Sequence, residues 1–219
     1  MDVVIMSRCK KGKLLVKIYQ KGEKQMKIIL VTYATNAGST AEVAQVIAEE
    51  LGKNSAKVEV RQINDVKSVN GYQAVVVGAP MIVGWHPSAV KFIKKNKQAL
   101  SNVPVAYFFT ALKLTKNDQH NFKELSISVD PQLAKPPQNP NRMSFKEKHA
   151  SVDNYLPPAL KAAPNVKPVS VGFFGGKLDI MHLKLWQKLF ILLVIQAKPG
   201  DFRNWSFIRG WANNLSERL

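Results

Sequence analysis

The sequence predicts an α/β fold: a three-layer sandwich in which five parallel strands carry helices on both faces. Two observations lead there. Short apolar runs alternate with helically spaced patterns from residue 27 to the end, the signature of repeated βαβ units. The apolar runs are also continuous, as strands are when helices cover both sides of a parallel sheet.

The elements follow in order. Residues 27–33 (KIILVTY) form the first strand. Residues 39–51 form a helix, because Val43, Val46, Ile47 and Leu51 recur at helical spacing and Gly52 can stop it. Residues 58–63 alternate as a strand, and residues 74–77 (AVVV) are a buried one ending at Gly78. A second helix spans 87–99, with Val90, Phe92, Ile93 and Leu100 on its apolar side. Residues 103–109 and 169–174 are the fourth and fifth strands. A last helix runs over about 204–217, with Trp205, Ile208, Trp211, Ala212 and Leu215 on one face.

Three segments stand outside this alternation. Residues 1–25 are a basic extension carrying Arg8, Lys10, Lys11, Lys13, Lys17, Lys21 and Lys24. They lack a signal-peptide core, so export is not indicated, and Met26 is the expected natural start of a domain covering 26–219. Residues 111–165 connect the fourth and fifth strands, with an insertion at about 125–147. Its Pro-rich stretch (DPQLAKPPQNPN, 130–141) is expected to be irregular. Residues 144–160 are expected to be helical in part, interrupted by Pro157 and Pro158. Residues 179–197 form an amphipathic helix with a wide apolar face flanked by Lys177, Lys184, Lys188 and Lys198. It is too short to span a bilayer but suited to an interface, or to covering the sheet or a dimer contact.

Composition sets the chemistry that is open. A chain of 219 residues with 46% apolar content can bury a core. A single cysteine, Cys9, excludes an intramolecular disulfide framework and multi-cysteine metal sites. His86, His120, His149 and His182 share no metal-ligand spacing, so no metal site is expected. The net charge of +17 is spread along the chain and favours anionic partners: nucleic acid, anionic lipid, or phosphorylated and carboxylated ligands.

The loop after the first strand carries the sharpest signal. It reads Thr35-Asn36-Ala37-Gly38-Ser39-Thr40 and opens directly into a helix. Helix N-terminal N–H groups, the helix dipole and three hydroxyls suit a phosphate. The alternative is that Ser39 or Thr40 simply caps the helix. The loop is neither a P-loop nor a GxGxxG fingerprint.

The stretch YATNAGSTAEVA (33–44) resembles the FMN phosphate loop of flavodoxins, with Thr35, Gly38 and Thr40 in register. The stretch VVVGAPMIVGWHPSAVKF (75–92) and the tail from Pro168 to Asp201 resemble a flavodoxin-like subgroup. That subgroup includes the menaquinone-dependent protoporphyrinogen IX dehydrogenases. The resemblance implies FMN as cofactor, with Thr35, Asn36, Ala37, Gly38, Ser39 and Thr40 around its phosphate. It implies Pro80, Met81, Gly84, Trp85 and His86 on one side of the ring and Thr110, Ala111 and Leu112 on the other. Trp85 is then the best candidate to stack on the ring, the alternative being an aromatic plug at a strand end. His86 is either a proton donor or a cap for the next helix, the cap being favoured.

The resemblance implies an FMN-binding oxidoreductase, protoporphyrinogen oxidase-like, passing electrons to a quinone at a membrane surface. It would be cytoplasmic or peripheral on the inner face of the membrane. Two alternatives are a non-enzymatic electron carrier working with redox proteins, and a flavin-free basic scaffold for nucleic acid or other anions. The phosphate loop argues against the last. Lys113 and Lys116 are candidates to meet a carboxylated substrate. Residues 175–185 (GGKLDIMHLKL) lack the Arg- and Tyr-rich run of the protoporphyrinogen dehydrogenases.

Overall fold

A computed structural model of the chain describes residues 3–8, 14–19, 26–53, 56–81, 84–116, 122, 124–139, 141–178 and 199–219. The helix expected over 179–197 lies outside the described residues, as do Cys9, His120 and His182.

Strands β1 (Val3–Arg8) and β2 (Leu14–Tyr19) pair antiparallel with each other as a separate two-stranded sheet. The main sheet is built from β3 (Ile28–Tyr33), β4 (Lys57–Gln62), β5 (Ala74–Met81), β6 (Val105–Ala111), β8 (Ile127–Val129) and β10 (Ser170–Gly175). Their order is β4-β3-β5-β6-β10-β8, and every pairing is parallel. The chain steps outward from β3 to β4, then crosses back to β5. The β3/β5 junction is therefore the topological switch point, where open α/β sheets bind ligands at their carboxyl edge.

Helices α1 (Ser39–Gly52) and α6 (Trp205–Ser216) cover one face. Helices α2 (Pro87–Leu100), α4 (Val152–Tyr155) and α5 (Pro157–Ala162) cover the other. The central strands are buried almost without interruption, β6 entirely, which is why their sequences read as continuous apolar runs. An aromatic stack fills the α2 face: Phe173, Phe109 and Trp85, with centroid spacings of 4.6 Å along the series.

The long connection departs most from expectation. The sheet has six strands rather than five, because residues 127–129 of the insertion add β8 outside β10. Only three residues pair, too few to show a period in the sequence. The Pro-rich stretch is not wholly irregular: β9 (Ala134–Lys135) pairs with β7 (Leu114–Thr115). A short helix α3 (Phe145–His149) starts at a capping box between Ser144 and Glu147. Pro157 and Pro158 begin α5 rather than interrupt a longer helix, as the first-turn tolerance for proline allows.

The carboxyl end of the domain is held by two clamps. Asp130 is fully buried and accepts from the side-chain amide of Asn204 at 3.1 Å. The Asn204 carbonyl oxygen in turn accepts from the Phe207 N–H at the start of α6. Arg203, its side chain only 4% exposed, pairs with Asp201 and with Glu42 of α1, and lies over the Trp205 ring. Gly175 can only be glycine, because a Cβ there would lie 1.8 Å from the Phe202 carbonyl oxygen.

Candidate phosphate and ring site at the carboxyl edge

The loop after β3 lies at the switch point. Gly38 is the residue before α1 and has φ 87°. A side chain there would meet no atom within 4 Å but would strain the backbone, so the glycine serves conformation and not space. No side chain caps α1. That removes the reading of Ser39 or Thr40 as a simple cap. Among the described residues, the backbone N–H groups of Ala37, Ser39 and Thr40 take no partner. A helix start with unpaired donors and no capping oxygen is built for an anion from outside.

The hydroxyls around this start are arranged. Thr35 accepts from the Gly38 N–H at 2.9 Å, which bends the loop and leaves its own O–H to donate outward. Thr40 is 1% exposed, and its hydroxyl lies 3.0 Å from that of Thr110 at the end of β6. Asn36 and Ala37 are exposed, and Ser39 is half-buried. The loop holds no lysine or arginine. Its attraction for an anion comes from backbone dipoles and hydroxyl donors, with no side-chain charge.

The second loop folds back on itself. Met81 and Trp85 form an antiparallel bridge, and the His86 N–H donates to the Pro80 carbonyl at 3.2 Å. Ile82 and Val83, between them, lie outside the described residues. Pro80 is half-buried, Met81 buried and Gly84 exposed. Trp85 is 4% exposed and packs against Phe109 at 4.6 Å and Tyr107 at 5.4 Å. Its indole thus takes the plug position under the loop. Its Nε1 and the Tyr107 hydroxyl find no partner among the described residues. Burial pushes the Tyr107 hydroxyl far above the usual phenol range.

His86 caps α2, as the sequence favoured. Its Nδ1 accepts from the Ser88 N–H at 3.3 Å. That assigns the proton of the neutral ring to Nε2, which lies 3.1 Å from the Asn36 Oδ1 and donates to it. Burial holds the ring below the usual imidazole pKa, consistent with an acceptor at Nδ1. The sequence names both residues but not this bond, which ties the two loops across the site. On the far side, Thr110 and Ala111 are buried and Leu112 half-buried. Lys113 is exposed just beyond them. All fourteen candidate residues therefore belong to the carboxyl ends of β3, β5 and β6 or to the loops that follow. Among the described residues no cluster of His, Cys, Asp or Glu could hold a metal ion.

A family model, the flavodoxin domain, matches residues 30–204. Over 93 residues the chain is 27% identical to the protoporphyrinogen IX dehydrogenase [quinone] of Escherichia coli strain K12. That match covers 41% of this chain and 51% of the relative, so the chain spans about half the length of the curated relatives it matches. Among solved structures, oxidised flavodoxin 2 from Bacillus cereus is similar with a TM-score of 0.44 at 13% identity, covering 87% of this chain and 99% of that one. The Fusobacterium nucleatum flavodoxin bound to flavin mononucleotide has a TM-score of 0.43 at 12% identity, covering 89% and 99%.

Proposed function

The chain belongs to the flavodoxin-domain family, and we propose that it is an FMN-binding oxidoreductase whose cofactor sits across the carboxyl ends of β3, β5 and β6. One observation carries the placement. The uncapped start of α1, with Gly38 at φ 87° and its N–H donors unpaired among the described residues, lies at the switch point of the sheet. The residues present fit the phosphate of FMN: unpaired N–H donors, the Thr35 hydroxyl and the half-buried Ser39 beside them, and no atom within 4 Å of where a Cβ on Gly38 would project.

When bound, FMN supplies the acceptance and return of hydride or electrons. The chain's own part is to bind and orient. The N–H groups of Ala37, Ser39 and Thr40 and the hydroxyls of Thr35 and Ser39 take the phosphate, while the Gly38 N–H stays on Thr35. Thr110 fixes the Thr40 hydroxyl, which closes the inner wall. Pro80, Met81, Gly84 and His86 border the ring on one side and Thr110, Ala111 and Leu112 on the other. Trp85 is the floor that holds the first of these sides in shape. The His86–Asn36 bond keeps the phosphate loop and the ring loop together.

We further propose that the electrons come from a carboxylated substrate such as a porphyrinogen and pass to a quinone. The name of the Escherichia coli relative supports this. So does the charge of +17, which suits an anionic substrate and an anionic bilayer. Lys113 and Lys116, both exposed beyond Leu112, are the residues we propose to meet a substrate carboxylate. A cytoplasmic protein lying on the inner membrane surface would have both within reach.

The test is a visible absorption spectrum of the purified protein, repeated after FMN is added and the excess removed by gel filtration. A retained flavin spectrum is the expected result. A protein that stays colourless after reconstitution would refute the FMN reading. Quinone reduction with protoporphyrinogen as donor then tests the substrate, and flavin retention without turnover would leave a simple electron carrier.

A further inference from the structure

The two helical layers differ sharply in charge. On the α1/α6 side, α1 carries Glu42, Glu49 and Glu50 and no lysine. These acids are taken up in ion pairs with Arg203, Arg209 and Lys53. On the other side, α2 carries Lys91, Lys94, Lys95 and Lys97 and no acid. All four are exposed, and among the described residues none has an ion-pair partner. Helix α5, packed against α2, adds exposed Lys161. Helix α3 continues this layer through α4 and adds exposed Lys146 and Lys148, with Arg142 just before it. The acids nearby change little. Asp65 is exposed on the turn against α2. Asp153 is half-buried, and Glu147 is buried with its oxygens taken by Ser144 and Gln138.

The same layer presents one large apolar side chain to solvent. Phe145, at the start of α3, is 83% exposed, and among the described residues its ring stacks on His149 alone. A protruding phenyl ring set among lysines is the makeup of a surface that enters the headgroup boundary of a bilayer. A surface that reads bases or single strands adds arginine forks or several stacking rings to its phosphate-binding lysines. Here α2 and α5 hold lysines and no arginine, and among the described residues the layer's exposed rings are Phe145 and the His149 stacked on it.

We propose that the layer formed by α2, α5, α4 and α3 docks on an anionic lipid bilayer, with the lysines of α2 against the headgroups and Phe145 inserted between them. The placement deepens the reading of a quinone-linked protein, and it rests on that reading for its purpose but not for its evidence. Helix α2 starts at Pro87, next to His86 of the site. Helix α3 packs on β7, which begins shortly after the end of β6. Docking by this layer therefore sets the carboxyl edge of the sheet beside the lipid, where a quinone enters.

The experiment is co-sedimentation of the full chain, with and without FMN, on phosphatidylcholine vesicles with and without phosphatidylglycerol. Binding is expected only with phosphatidylglycerol, weakened by salt and indifferent to FMN. Each basic residue near an anionic surface is worth about fivefold in binding. Losing three of them alone is worth on the order of 100-fold, so the charge-reversing triple variant Lys91→Glu, Lys94→Glu, Lys95→Glu should bind at least about 100-fold more weakly. Phe145→Ser should lose about tenfold, with circular dichroism unchanged in both. Triple-variant binding equal to wild type would overturn the proposal. So would binding lost only on Phe190→Asp with Leu193→Asp, or on reversal of Lys10, Lys11 and Lys13. Binding to an RNA duplex but not to vesicles would overturn it too. A protein that binds vesicles as expected yet never retains FMN would uphold this surface and sink the flavin reading alone.

Discussion

Replacing Trp85 with alanine separates a ring that holds the fold from a ring that holds the cofactor. The indole is 4% exposed and rests on Phe109 and Tyr107. Truncating so buried a Trp costs about 3–5 kcal/mol. Part of that is returned, because its Nε1 has no partner among the described residues and an unsatisfied buried donor costs roughly 1–3 kcal/mol. The net loss should be about 3 kcal/mol. In a domain of this size that lowers Tm by about 6–12 °C. Trp85→Phe, which keeps a ring and deletes the orphan N–H, should lose much less. FMN affinity, followed by quenching of flavin fluorescence at a temperature where the variant is folded, should change less than about fivefold, because the ring face is covered by protein. A stacking partner of the flavin would instead lose about 1–3 kcal/mol of binding, or roughly 5- to 150-fold. Unchanged Tm with FMN binding weakened tenfold or more would refute the plug assignment.

Three other outcomes follow from the same geometry. Gly38→Ala meets no atom but must hold φ 87°, so it should cost about 1–2 kcal/mol in thermal unfolding and weaken FMN binding, while Gly84→Ala, at an exposed position, should do neither. The His86 pKa is depressed from 6.5 by burial, so the neutral ring is favoured in the fold; its contribution is complete above pH 6.5 and is lost as pH falls below, and the fall in Tm and FMN affinity on acidification through that range should be smaller in His86→Phe. The Glu147 carboxyl is held at about 2, first by the Ser144 hydroxyl, then by the Gln138 and Ser144 N–H groups; its contribution is complete above about pH 4.5 and disappears toward pH 2, and Glu147→Gln should loosen residues 138–149 in hydrogen exchange while leaving exchange in β3 and β5 unchanged.

The sequence alone determined the sandwich, because its strands are buried on both faces and its long helices carry one apolar stripe each. Those are local patterns, and they place the five long strands and three long helices to within about two residues, except that the strand read at 74–77 runs on past Gly78 to Met81. It also located the phosphate loop, since a glycine and hydroxyls between a strand and a helix need no tertiary information to be suspicious. The tertiary structure decided what depends on contacts distant in sequence. Strand β8 is three residues long and exists because β10 offers it an edge. Asp130 and Asn204 lie 74 residues apart, and only the closed fold shows their clamp. The bond from His86 to Asn36 crosses 50 residues. Trp85 changed from stacking candidate to buried plug because Phe109 and Tyr107, on the neighbouring strand, cover its face. Even the charge divides this way. A net +17 is composition, but its division between a neutralised α1/α6 layer and a cationic α2 layer depends on which helices the sheet holds apart.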